Sequence, residues 1–164
     1  MKKIAFIGAG SVQFTTAVVR DMLTFPAFSD MTIALMDIDR GHLEKITRCV
    51  EKIVQAFPET KPVILATTDR REALRDADGA LCTVFNGDID IWKHEILIPK
   101  KYGVDINVGD TRSVSGFFRA LRNIPLMLDI CRDISEMCPK AVVLNYTNPM
   151  AMLCKAMQTY TVWT

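Results

Sequence analysis

The sequence predicts an α/β fold, a doubly wound parallel sheet, and three observations carry that expectation. Short apolar runs alternate with longer stretches of helical periodicity. The first run, Ile4 to Ile7, passes directly into Gly8-Ala9-Gly10-Ser11 and then into a helical pattern. The second run ends on an acid, Asp37. Strand, paired glycines, helix, strand and terminal acid are the opening of a Rossmann-type dinucleotide-binding fold.

The elements follow in order. Ile4 to Ile7 is a continuous apolar strand, as expected where both faces of a parallel sheet are covered. Ser11 is placed to cap a helix carrying Phe14, Val18, Met22 and Leu23 along one side, which Pro26 ends. Met31 to Met36 is the second strand. Asp39 and Arg40 open a second helix with Leu43, Ile46, Val50, Ile53 and Val54 at helical spacing. Pro58 and Pro62 flank the turn to a third strand, Val63 to Ala66. Asp69 with Glu72 resembles a capping pair for a short helix ending near Ala77. Ala80 to Phe85 reads as the fourth strand and Ile89 to Lys101 as a helix. A polar, glycine-containing segment, Gly103 to Gly116, precedes a long helix from Phe118 to Met137 that contains Pro125. Ala141 to Leu144 is the fifth strand, and a Met-rich helix starts after Asn148-Pro149. Tyr160 to Thr164 is rich in β-formers and reads as the start of another strand. That ending is expected either to lead into an absent C-terminal half or to complete the sheet.

Composition narrows the class. The 164 residues suit one dinucleotide-binding domain, residues 1–164, burying roughly two-thirds of the surface of the unfolded chain. Hydrophobic residues make up 49% and charged residues 24%, the balance of a soluble globular protein rather than a disordered one. A formal net charge of +1 gives no electrostatic reason to expect nucleic acid or an anionic membrane as partner. Cys49, Cys82, Cys131, Cys138 and Cys154 are odd in number and lack CxxC spacing, so neither a disulfide framework nor a zinc site is expected. Reduced thiols fit a cytoplasmic protein. No apolar stretch has the length of a membrane-spanning helix.

The chemistry is concentrated at strand ends. Gly8 and Gly10 allow a tight turn and a close approach of backbone to a pyrophosphate, and the following helix offers N–H groups to it. Gln13 stands where a third glycine is usual. Asp37 is placed to bind adenosine ribose hydroxyls and to repel the 2′-phosphate of NADP, so NAD is the expected cofactor. The alternative is that Asp37 caps the helix starting near Arg40. Asn145-Tyr146-Thr147-Asn148-Pro149 follows the fifth strand, where ligand crevices form; Asn148 could equally cap the next helix. Gly109-Asp110-Thr111-Arg112 reads as a solvated loop, and Arg119 and Arg122 as an exposed basic face. His42 and His94 have no partner pattern.

Gly8-Ala9-Gly10-Ser11, Leu35-Met36-Asp37-Ile38-Asp39, Gly109-Asp110-Thr111, Phe118-Arg119-Ala120-Leu121-Arg122, Ile124-Pro125 and Leu144-Asn145-Tyr146-Thr147-Asn148-Pro149-Met150-Ala151-Met152 together resemble glycoside hydrolase family four. The likeness is to its α-galactosidase (melibiase) and α-galacturonidase branch, on a fold of the lactate/malate dehydrogenase-like group. The resemblance implies an α-glycosidase outside the two-carboxylate scheme. In that family NAD oxidises sugar C3, a divalent metal, usually Mn2+, supports proton loss from C2, the aglycone is eliminated with acid assistance, and water adds. It assigns Gly8, Gly10, Ser11 and Asp37 to NAD, Asp110 to leaving-group protonation, and Asn148 to the sugar and nicotinamide. It places the metal-binding cysteine and histidine and the proton-abstracting tyrosine beyond residue 164, with none of the five cysteines matching.

The family commonly has a Gly-Pro-Gly-Gly-like turn after Gly-Asp-Thr; here Arg112-Ser113-Val114-Ser115-Gly116 replaces it. Arg112 is positioned to pair with a sugar carboxylate, which favours a galacturonide over a neutral galactoside. Asn86-Gly87-Asp88 stands where the phospho-sugar branch carries an arginine, which argues against a phosphorylated substrate. The expected partner is a small-molecule glycoside, and the full-length protein is expected to be a homo-oligomer. A 2-hydroxy-acid dehydrogenase and a non-catalytic NAD-binding fragment are the competing readings.

Overall fold

The computed structural model describes residues 2–106 and 109–161. Its elements are β1 (Lys3–Ile7), α1 (Val12–Leu23), a 3-10 turn at Pro26–Phe28, β2 (Thr32–Met36), α2 (Arg40–Gln55), β3 (Val63–Thr67), α3 (Arg70–Leu74), β4 (Gly79–Cys82), α4 (Ile89–Lys100), α5 (Val114–Met137), β5 (Val142–Asn145) and α6 (Met150–Tyr160). The chain divides into two compact units. One runs to Thr83 and includes Asp133–Leu144; the other comprises Val84–Arg132 and the residues from Asn145 onward.

The first unit holds a five-stranded sheet in the order β3-β2-β1-β4-β5. β1 pairs in parallel with both β2 and β4, and β2 with β3. The strand order therefore reverses between β1 and β4, the place where such sheets bind ligands beyond their carboxyl ends. Register explains the core. Phe6 lies opposite Leu35 and Leu81, and Ile4 opposite Ile33. Strand side chains alternate between faces, so these residues share one face. They join Val19 and Leu23 of α1 and Leu43, Ile46 and Val50 of α2 in a single cluster. The opposite row, Ala5–Ala34–Ala80, is small and fully buried. Charge ties complete the unit. Asp78 accepts the Lys3 amide at 2.8 Å, and Asp133 takes Arg70 Nε at 2.6 Å and Arg71 Nη1 at 2.8 Å.

The second unit contains α4, α6 and most of α5. Pro125 lies inside α5 without ending it.

Several boundaries differ from the sequence expectation; α3, for one, ends at Leu74 rather than near Ala77. β4 ends at Cys82 rather than Phe85, because the Val84 amide donates to Thr147 Oγ1 at 3.0 Å instead of to a neighbouring strand. α5 begins at Val114 rather than Phe118. Ser113 supplies the first helical carbonyl, to Phe117 N at 3.0 Å, and its hydroxyl accepts the Gly116 amide at 3.3 Å. Tyr160 closes α6 rather than opening a strand, while residues 162–164 of the expected strand lie outside the described residues.

Candidate functional site

The expected phosphate turn is built by β1, α1 and the end of β2, all in the first unit. Gly8 and Ala9 both donate to the Met36 carbonyl, at 3.0 and 2.8 Å, which folds the turn against β2. Gly8 has φ +85°, a conformation that side chains disfavour. Gly10 donates its amide to Asp37 Oδ2 at 2.7 Å. A Cβ on Gly10 would lie 2.5 Å from that oxygen and 2.9 Å from the His42 Cβ, so only glycine fits. The other carboxylate oxygen of Asp37 accepts the Asp39 amide at 2.9 Å. Asp39 is the residue that caps α2, accepting from His42 N at 2.8 Å, and this removes the reading of Asp37 as a cap.

Ser11 occupies the N-cap position of α1, but its side chain makes no capping bond, contrary to the sequence expectation. Asp39, Asp69 and Asp88 do cap α2, α3 and α4. The helix at the glycine turn therefore presents first-turn N–H groups that no capping side chain claims, together with the positive end of its dipole. An anion fits there. The carboxylate of Asp37 has further lone pairs for hydroxyl donors beside it.

A second cluster is formed wholly within the second unit. Asp110, expected in a solvated loop, is instead three-quarters buried. Its Oδ2 accepts Asn148 Nδ2 at 3.0 Å and Arg119 Nη1 at 3.2 Å, while Oδ1 meets the Thr111 hydroxyl at 3.2 Å. Asn148 is exposed; its carbonyl accepts Asn123 Nδ2 at 3.1 Å. Thr147, by contrast, is buried. Asn148 does not cap α6, whose N-cap position is Pro149. Arg112 is exposed and forms no ion pair among the described residues.

Arg119 and Arg122 are not an exposed basic face. Arg119 is 7% exposed and lies over the Phe85 and Trp92 rings, 5.3 and 5.6 Å from their centroids. Both arginines converge on Glu95, which is also 7% exposed: Arg122 Nη1 bonds Oε1, and Arg119 Nε lies 3.5 Å from Oε2. Arg122 also bonds the Asn86 carbonyl. Glu95 was not expected to matter. Its signal was available as one acid on a helix face of otherwise apolar neighbours, Ile91, Ile98 and Pro99. Among the described residues no group of three His, Cys, Asp or Glu could hold a metal ion. His42 and His94 are exposed.

The model described as Family 4 glycosyl hydrolase matches residues 3–163. The chain is 44% identical to an alpha-galactosidase of Rhizobium meliloti (strain 1021), covering 92% of this chain and 31% of that protein. It is 40% identical to an alpha-galactosidase of Bacillus subtilis (strain 168), covering 98% and 37%. It is 34% identical to an alpha-galacturonidase of Thermoanaerobacter italicus (strain DSM 9252 / Ab9), covering 94% and 33%. The chain thus spans about a third of the length of the curated relatives it matches. Its fold matches a 6-phospho-beta glucosidase from Thermotoga maritima, solved with manganese, NAD+ and glucose-6-phosphate. That match has a TM-score of 0.83 at 25% identity and covers 96% of this chain and 37% of that one. A malate dehydrogenase from Archaeoglobus fulgidus shares the fold, with a TM-score of 0.63 at 22% identity, covering 99% and 46%.

Proposed function

The chain belongs to the family 4 glycosyl hydrolases, and from that premise we propose that it forms the NAD-binding portion of an α-glycosidase. The observation that carries the reading is the closure of the glycine turn on Asp37 beside an uncapped helix. Gly8, Gly10 and Ser11 hold the pyrophosphate, and Asp37 accepts the adenosine ribose hydroxyls. NAD, when bound, supplies an acceptor for hydride from the sugar and later returns it. The divalent metal that the relatives' chemistry calls for finds no donor set among the described residues, so its ligands are taken to come from outside them.

The protein's own groups do the rest of what this chain contributes. Asp110 holds the proton that goes to the leaving-group oxygen, with Oδ2 anchored by Asn148 and Arg119 and Oδ1 held only by the Thr111 hydroxyl. Asn148, exposed and fixed through one amide hydrogen, offers its remaining groups to a sugar hydroxyl. The substrate on this reading is an α-linked galactose-configured glycoside, in line with the alpha-galactosidases among the relatives. The full-length protein, supplied with NAD and manganese, is expected to hydrolyse a nitrophenyl α-galactoside. Asp110→Asn is expected to lower kcat for an unactivated galactoside by about 10²–10⁴-fold. Wild-type activity without added or retained NAD contradicts the proposal.

A second reading, an α-galacturonide, is favoured by Arg112, an exposed cation two residues from Asp110 with no ion-pair partner among the described residues. A charge-assisted bond to a C6 carboxylate contributes about 1.5–3 kcal/mol, roughly ten- to a hundredfold in selectivity. Matched nitrophenyl galactoside and galacturonide, compared in full-length wild type and Arg112→Ala, test it. An unchanged ratio of kcat/KM shows that Arg112 does not read the carboxylate.

A further inference from the structure

Four ionisable side chains of the second unit form one chain of contacts: Arg122 to Glu95, Glu95 to Arg119, Arg119 to Asp110. With Asp110 ionised, two cations and two carboxylates balance; with Asp110 protonated, as a proton donor must be, one positive charge is in excess. The side chains of Glu95 and Arg119 are 6% and 8% exposed. Burying such groups is costly, and a hydrophobic replacement is often as stable or more so, so this network is a poor way merely to hold a fold together. Its polar atoms are also incompletely satisfied. Glu95 Oε2, Arg119 Nε and Arg122 Nη2 lack hydrogen-bond partners, because the 3.5 Å Arg119–Glu95 contact is an ion pair without hydrogen-bond alignment.

What the network does achieve is to fix one atom. Arg119 is clamped by Phe85 and Trp92 on its faces and by Glu95 at Nε, so its free end, Nη1, is aimed at Asp110 Oδ2. Asn148 reaches the same oxygen from the loop before α6. Two donors hold Oδ2, while Oδ1 meets only the Thr111 hydroxyl, at 3.2 Å, and is the less constrained oxygen. Trp92 carries a further unpartnered donor, Nε1, in the same buried wall.

We propose that Arg119 is a positioning residue for Asp110, and that Glu95 is the counter-charge that keeps Arg119 aimed. The inference rests on the reading of Asp110 as the proton donor to the leaving group. In the step, the electron pair left on C2 by loss of its proton forms the C1=C2 double bond as the C1–O bond breaks; the C1–O pair stays on the departing oxygen, which takes the proton from the Asp110 O–H, leaving the carboxylate. A donor held badly harms poor leaving groups, which need the proton, far more than good ones, which depart as stable anions.

The test uses the full-length protein with NAD and manganese, and compares kcat for methyl and dinitrophenyl glycosides of the same sugar. Arg119→Lys and Glu95→Gln are each expected to lose at least about tenfold on the methyl glycoside and less than about threefold on the dinitrophenyl one. NAD affinity, measured by calorimetry, is expected to stay within about twofold, and a circular dichroism spectrum and thermal melt like those of wild type show that each variant is folded. Equal losses on both substrates overturn the inference, since a merely structural role weakens every turnover alike. If Arg119→Lys loses NAD binding, Glu95→Gln carries the same comparison alone. Asp110→Asn separates the two levels. If it too lacks leaving-group dependence, the assignment of Asp110 as the acid fails. If only Asp110→Asn shows the dependence, that assignment stands and the positioning role falls.

Discussion

Single residues decide more here than their number suggests. Asp37 bonds two backbone amides and so ties the glycine turn to the start of α2. Its place at the end of an apolar strand was readable in the sequence, and so was the need for glycine at position 10. Arg119 was not readable. Its spacing with Arg122 looked like an exposed stripe, and only the fold brings Glu95 from α4 and Asp110 from the preceding loop against it. Local periodicity registers apolar faces, whereas a buried ion network depends on contacts far apart in sequence. Cys131 offers an independent check of the core. Burial pushes its thiol up to about 11. Its folded value lies above the unfolded one, so the associated stability is full below the ordinary thiol range and lost as pH rises through about 11. Denaturant melts from pH 8 to 11 are expected to fall more steeply in wild type than in Cys131→Ala. Parallel curves would show that the thiol does not titrate abnormally. Cys131 is also expected to react with a thiol reagent more slowly than the half-buried Cys49.

At the scale of elements, caps distinguish the helices. Asp39 accepts the His42 amide, and that bond holds its carboxyl below the usual aspartate value. A depressed value means stability that is present above the ordinary aspartate range and lost as pH falls through the folded value. Asp39→Asn keeps an acceptor but removes the titration, so its acid unfolding limb is expected to be shallower than that of wild type. An identical limb would place the acid sensitivity elsewhere. For α4, Asp88→Ala is expected to cost about 1 kcal/mol in chemical denaturation, with Asp88→Asn near neutral. The Asp39 and Asp69 caps follow from sequence spacing, whereas the Asp88 cap is seen only in the structure. Helix α1 has no such bond although Ser11 has the right chemistry for a cap, and α6, with Pro149 at its N-cap position, has none either. The start of α5 differs from the sequence expectation for a related reason: Ser113 is a polar cap inside a segment that otherwise reads as loop.

At the scale of the molecule, the sheet order β3-β2-β1-β4-β5 is a finding of the structure, whereas the parallel sheet itself was implied by alternating strands and helices. The division into two units was not, since composition does not change at Val84 or Asn145. The 164-residue chain alone is expected to show no turnover of α-galactoside or α-galacturonide, because it spans about a third of the length of the alpha-galactosidases it matches. Measurable hydrolysis by the pure chain with NAD and manganese would contradict this. NAD binding is the more direct question, since the turn, the uncapped helix and Asp37 all lie in the first unit. Calorimetric titration of this chain with NAD and with NADP, in wild type and Asp37→Ala, addresses it. NAD is expected to bind wild type at least about tenfold more tightly than NADP, a difference of about 1.4 kcal/mol, and Asp37→Ala to narrow that ratio. Equal affinity of wild type for the two dinucleotides, or binding of neither, would contradict the assignment of the Gly8–Asp37 turn as the NAD site.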